Sequence, residues 1–203
     1  MKPSEQKQLY GLDKYINEII KLYDKDLMPN KILLSGKKGT GKSTLAYHII
    51  NYVLSQTEIN KYDKKKLIID NEKKSFKLLK NKSHTNFYLI DLVDEKKNIE
   101  INQIREMINY SNKYNFNKNK KFILIDNIEN LNKNSTNALL KIIEEPNHNF
   151  FFILIHNNNK KILSTLSSRC LTFKINVSFE ETLKISNFIL KENLFNLINI
   201  DLI

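Results

Sequence analysis

The sequence predicts an α/β fold, a five-stranded and mostly parallel sheet with helices on both faces. Two observations carry that expectation. Apolar runs of strand length alternate with segments of helical period from one end of the chain to the other. A glycine-rich stretch, GKKGTGKST at residues 36–44, joins the first apolar run to the helical segment after it.

The elements follow in order. Residues 12–24 place Leu12, Ile16, Ile19, Ile20 and Tyr23 on one helical stripe. KILLS, 31–35, reads as a short buried strand ending at the glycine loop. Residues 43–55 read as a helix apolar nearly all round, which requires packing against a sheet. The lysine-rich stretch 57–83 has no turn glycine and is expected to be exposed, with a short helix near 71–80. NFYLIDL (86–92) is the second strand, and IEINQIREMINYSNKY (99–114) the next helix. FILID (122–126) is the third strand, followed by a helix from about Asn134 to Glu145 that Pro146 stops. FFILIH (151–156) is the fourth strand, a short helix near 160–167 leads to Arg169, and LTFKI (171–175) is the fifth. Ser178 and Glu181 then have the spacing of a capping box at the start of a last helix.

The 203 residues suffice for one α/β domain and part of a second. The boundary is placed at 176: a nucleotide-binding domain over 1–176 and the start of a helical lid over 177–203. No apolar run approaches the ~18 residues of a membrane span, and the N-terminus lacks the apolar stretch of a signal peptide. A lone cysteine, Cys170, excludes an intramolecular disulfide framework and a cysteine-rich zinc site, and a cytoplasmic chain with no membrane partner is expected. The net charge of +11 invites a nucleic-acid reading. However, lysine and asparagine are abundant throughout and the chain has only two arginines, Arg105 and Arg169, which favours compositional drift over a built phosphate-binding face. Where lysine serves, this chain uses lysine, so Arg169 marks a place that needs a planar, permanently charged fork.

Gly36-Lys37-Lys38-Gly39-Thr40-Gly41-Lys42-Ser43, with Thr44 behind it, satisfies the phosphate-loop pattern between a strand and a helix. Glycines let backbone N–H groups wrap phosphates, and the helix N-terminus adds partial positive charge. Lys42 is expected to reach the outer phosphates of ATP and Ser43 to ligate Mg²⁺. Asp126 ends a buried strand, where a second carboxylate holds the magnesium through water. The residue after it is Asn127, which hydrogen-bonds a water but accepts no proton from it. Glu129 substitutes for the missing base only if the turn bends it back.

NALLKIIEEP (137–146) and STLSSRC (164–170), with KSHTNFYLI and the INQIREM helix upstream, resemble the clamp-loader branch of the AAA+ ATPases. The intact glycine loop beside a weak acid pair is most similar to the delta-prime subunits of bacterial DNA polymerase III. The resemblance spans roughly residues 8–175. It implies that Arg169, in Ser168-Arg169-Cys170, acts as a finger on ATP held by an adjacent subunit, where such a group is worth on the order of 10³ or more in rate. It also implies a γ-phosphate-sensing role for Asn157, although Asn158 leaves the register open. The implied partners are the other loader subunits (delta and gamma/tau), a sliding clamp, and primed DNA through the assembled complex. Glu144 and Glu145 are expected to face solvent or a partner.

Three departures from the resemblance stand out. The 57–83 segment has no cysteine, so the zinc module that related subunits often carry is not expected; Ile203 is expected to fall part-way through the lid and before the collar, as in a fragment or in a truncated form that has lost its usual way of assembling; and no arginine follows Arg169 to serve as a lid arginine. The implied function is therefore a subunit more stator than motor, with little or no ATP turnover of its own. Other readings stand beside it. The ATP-hydrolysing motor subunit of the same loader needs Glu129 or another base. A small P-loop nucleotide kinase needs an arginine-rich lid. A catalytically silent DNA-binding or scaffold module needs neither.

Overall fold

The computed structural model describes residues 2–59, 62–93, 96–113, 119–145 and 149–200, with the backbone alone for 113 and 191–200. Five parallel strands form one sheet: β1 (Lys31–Gly36), β2 (Phe87–Ile90), β3 (Lys121–Ile125), β4 (Phe150–His156) and β5 (Leu171–Ile175), in the order β2-β3-β4-β1-β5. The three central strands are buried almost throughout, as parallel strands covered on both faces require. Alternation along β1 sends Ile32 and Leu34 into one hydrophobic cluster and Leu33 into the other. The sheet therefore has a core on each side.

Among the described residues seven α-helices accompany the strands: α1 (Asp13–Asp24), α2 (Lys42–Leu54), α3 (Lys74–Lys80), α4 (Ile101–Lys113), α5 (Lys133–Glu144), α6 (Ser164–Ser167) and α7 (Phe179–Ile200). α1, α2 and α3 contribute to the core that holds Ile32, while α4 and α5 contribute to the one that holds Leu33. α5 begins at a side-chain cap, Asn132 Oδ1 accepting from the Ser135 N–H at 2.8 Å. Pro146, expected to stop this helix, lies outside the described residues, as do Tyr114 at the end of the fourth helical segment and the last three residues of the expected lid. α7 opens with the anticipated reciprocal pair, Ser178 N to Glu181 Oε2 at 2.9 Å and Glu181 N to Ser178 Oγ at 3.1 Å. Among the described residues no helix is long and apolar enough to cross a membrane.

Two expectations need correction. α6 starts at Ser164 instead of near 160. More importantly, the 57–83 segment is not simply an exposed insertion. Tyr62, Leu67, Ile69, Phe76 and Leu79 are buried in the same core as α2. The turn that allows this needs no glycine: the Asp63 carboxylate accepts from the backbone N–H groups of Lys65 and Lys66 at 2.9 and 3.0 Å. Lys64, Lys65, Lys66, Lys74, Lys77, Lys80 and Lys82 stay in solvent while apolar residues between them turn inward.

Candidate functional site

In an open parallel sheet, ligands sit beyond the carboxyl ends of the strands where the strand order reverses. Here β1 lies between β4 and β5, and the candidate residues gather at that end. Gly39 and Gly41 hold φ of +84° and +81°, which L side chains rarely adopt, and they turn the loop into the first turn of α2. Lys42, 3% exposed, points back into that loop and donates to the carbonyl oxygens of Gly36 at 3.0 Å and Lys37 at 2.5 Å. Thr40 Oγ1 donates to the Lys37 carbonyl at 2.9 Å. Burial pulls the Lys42 ammonium below the ordinary lysine range, against the charges of Asp126 and Glu129.

Ser43 Oγ donates to Asp126 Oδ2 at 2.5 Å, joining the start of α2 to the tip of β3. A hydroxyl and a carboxylate are hard oxygen donors, and this pair fits Mg²⁺ held beside a phosphate. Burial raises the Asp126 carboxyl above the ordinary aspartate range; the Ser43 hydrogen bond opposes the rise and the nearby charge of Asp91 adds to it. Next along the chain, Asn127 adopts φ +58°. Its amide is engaged at both ends: Nδ2 donates to Asp91 Oδ1 at 2.7 Å, and Oδ1 accepts from Asn157 Nδ2 at 2.8 Å.

Asn157, directly after β4, also donates from Nδ2 to Glu129 Oε1 at 3.0 Å and from its backbone N–H to Glu129 Oε2 at 3.2 Å. Glu129 is thus drawn back toward the site, but both of its oxygens are held by Asn157. Asn158 turns away and accepts from Ser35 Oγ at 2.8 Å. The structure therefore brings together Lys42, Ser43, Asp126, Asn127, Glu129 and Asn157. Sequence reasoning missed Asp91. Its signal was present: the second strand ends YLID and the third ILID, so both carry an acid at the carboxyl tip.

Beside the loop lies a cleft of about 520 Å³, walled by Lys37, Lys38, Thr44, the N-terminal residues Gln6 and Gln8, and Ile185 of α7. Its lining runs from the loop to the N-terminal residues and to α7, with room for a small-molecule group. Tyr10, part of its wall, meets Phe188 of α7 in a tilted ring contact, centroids 5.3 Å apart.

Arg169 lies elsewhere. It sits just before β5, whose first residue pairs with Ile32 and whose last pairs with Gly36. The arginine is thus at the amino end of the sheet, separated from the chain's own cradle by at least the ~13 Å rise of four strand residues. Its guanidinium bonds the Thr165 carbonyl at 2.8 Å and pairs with Glu144 Oε1 at 2.7 Å, and both side chains remain open to solvent.

The chain matches, over residues 11–178, the family described as DNA polymerase III, delta subunit. It belongs to that family. A gamma subunit of DNA polymerase III from Buchnera aphidicola subsp. Schizaphis graminum is 33% identical over 181 residues, covering 89% of this chain and 47% of the relative. The delta' subunit of the same organism is 30% identical over 189 residues, covering 92% and 55%. The chain therefore spans about half the length of these relatives. Among solved structures, a gamma-subunit-related protein of Thermotoga maritima aligns with TM-score 0.54 at 20% identity, covering 83% of this chain and 47% of that one. The RuvB Holliday junction branch migration motor of the same organism aligns with TM-score 0.50 at 18% identity, covering 88% and 50%. The fold of this delta-family chain is thus that of the AAA+ P-loop ATPases.

Proposed function

We propose that the chain serves as a delta-prime-like subunit of the DNA polymerase III clamp loader, helping ATP-driven loading of a sliding clamp onto primed DNA. In this role it is a stator, with Arg169 completing the ATP site of a neighbouring subunit. Residues 1–176 form its nucleotide-binding domain, and the helix from Phe179 begins a lid. When bound, ATP supplies the phosphate chain and Mg²⁺ neutralises its charge. Lys42 would hold the outer phosphates, the loop from Gly36 to Thr44 would wrap them, and Ser43 with Asp126 would hold the magnesium.

One observation carries the reading. At the position where a hydrolase needs a proton acceptor, the chain has Asn127, an amide bonded at both ends to Asp91 and Asn157. An amide so held accepts no proton from a water. Little intrinsic turnover follows. The position of Arg169 supports the second half, since it lies at the end of the sheet opposite the chain's own cradle. Its pairing with Glu144 is solvent-open, so exchanging that carboxylate for a phosphate costs at most about 1 kcal/mol.

The test is ATP hydrolysis by gamma-type subunits with clamp and primed DNA, with the chain or its Arg169→Ala form added. Stimulation by the first and none by the second, with equal assembly, supports the finger. Equal stimulation removes it. The 33% identity to a gamma subunit favours a second reading, a motor with its own turnover based on Glu129. Hydrolysis by the isolated chain that Glu129→Gln abolishes would select it.

A further inference from the structure

Residues 2–9 form a strap along the cleft, and Gln6 and Gln8 on it are part of the cleft wall. The strap has little structure of its own beyond one turn of 3-10 helix, Pro3–Glu5. What fixes it comes from elsewhere. Leu9 donates its N–H to the Leu67 carbonyl at 3.1 Å, and Ile69 donates to that of Lys7 at 2.8 Å. Between these bonds and the turn stands the Gln6 carbonyl, which accepts from His48 Nε2 at 3.2 Å.

His48 is fully buried on α2. A carbonyl only accepts, so Nε2 carries the ring hydrogen and Nδ1 is the acceptor for the Tyr62 hydroxyl, 2.9 Å away. One neutral imidazole therefore ties together the strap, α2 and the inward-turned segment that carries Tyr62. α2 is also the helix that begins at Lys42 and Ser43, so His48 lies less than two turns from the phosphate cradle. Gln6 Nε2 in turn donates to the Gln8 carbonyl at 3.1 Å, and Tyr10 OH to Gln8 Oε1 at 3.2 Å, so the order imposed at Gln6 extends along the wall.

We propose that His48 is a positioning residue for the nucleobase. By holding the Gln6 peptide to α2 it presets the wall of the cleft opposite α7, at a fixed offset from the loop that takes the phosphates. His48 touches no nucleotide in this arrangement. Its contribution is preorganisation: a strap already in place is not ordered at the expense of binding. The inference rests on the reading of the glycine loop as a nucleotide cradle. It adds that affinity for the base and affinity for the phosphates have separate determinants, His48 governing only the first.

That separation is what an experiment reads. Calorimetric titration of the chain with Mg-ATP, and with magnesium tripolyphosphate as a ligand without a base, is done for the wild type and for His48→Leu, His48→Gln and Tyr62→Phe. His48→Leu is expected to weaken Mg-ATP binding about tenfold, the scale of one lost hydrogen bond, and to leave tripolyphosphate binding unchanged. His48→Gln, which both donates and accepts, restores ATP affinity, and Tyr62→Phe falls between. A core histidine with no such role predicts something else: unchanged ATP affinity, or equal losses for both ligands, and either result overturns the proposal. If His48→Leu fails to fold by circular dichroism, Tyr62→Phe decides, and ATP affinity equal to the wild type overturns it. A wild type that binds neither ligand removes the cradle reading and the inference with it. Binding of both, with variants indistinguishable from the wild type, removes the inference alone.

Discussion

The side-chain amide of Asn127 donates to the carboxylate of Asp91 at 2.7 Å, linking the tips of two neighbouring strands. Replacing that donor by a carboxylate sets two acids against each other in a half-buried site. Asn127→Asp keeps a residue that tolerates the φ of +58°, so the backbone is not the cause of any loss. The variant is expected to lose about 1–3 kcal/mol of stability, and adding Asp91→Asn is expected to recover most of it. Urea unfolding of the four members of a double-mutant cycle checks the coupling.

Asp126 trades stability for its place in the proposed magnesium site. Burial raises its carboxyl, so the folded pKa lies above the unfolded one. The ionised form therefore costs stability at neutral pH, and the cost is relieved as pH falls through the folded pKa. Asp126→Asn still accepts from Ser43 and is expected to stabilise the nucleotide-free chain by about 0.5–2 kcal/mol. The same change is expected to abolish the magnesium dependence of ATP binding. Thermal melts without ligand and titrations with and without Mg²⁺ give the two halves.

Lys42→Ala removes the ammonium proposed to hold the outer phosphates and is expected to weaken Mg-ATP binding about 10- to 100-fold. Unlike a change at His48, it should weaken tripolyphosphate by a similar factor. Both numbers come from the same titrations.

His48 sets a pH dependence. Burial depresses its imidazole to about 4, against an ordinary value of 6.5. The unfolded chain then takes up a proton at higher pH than the folded one. Stability is unaffected above about 6.5 and falls as pH drops from there to about 4, by roughly 3 kcal/mol in all. His48→Gln should flatten that part of the profile, measured by urea midpoints between these limits.

Glu144 and Arg169 form an exposed pair at 2.7 Å. Glu144→Gln is expected to shift stability by less than about 1 kcal/mol. A larger loss on unfolding in urea would mean that the arginine is anchored for structure and is not held ready for a partner.

The alternation of elements was legible because each central strand is a continuous apolar run, as in FILI and FFILI, and because the glycine loop marks where the first strand ends. Ser178 and Glu181 announced the start of α7 through their spacing alone. The inward turn of 57–83 was hidden, since Tyr62, Leu67, Ile69, Phe76 and Leu79 have neither period and lysines fill the gaps. The turn itself is made by a side chain of Asp63, which composition does not distinguish from any other surface acid. At the site, Lys42, Ser43 and Asp126 followed from motif spacing, whereas His48 looked like one more member of an apolar helix. Its role depends on Gln6 and Tyr62, residues brought to it by contacts far apart in sequence.

The register of β1 with β5 puts the cradle and Arg169 at opposite ends of the sheet. If both ends engage neighbours, as the proposed function requires, a two-fold axis, which pairs each surface with itself, cannot serve them; the joint is head to tail. In an open row joined that way there is one fewer junction than there are members, so one terminal member keeps a cradle that no neighbour's arginine reaches. For that member a proton acceptor beside the phosphates has no task, and nothing opposes its replacement by an amide. On the proposed reading, the polarity of a single pair of strands thus gives Asn127 an address: the terminal cradle of such a row.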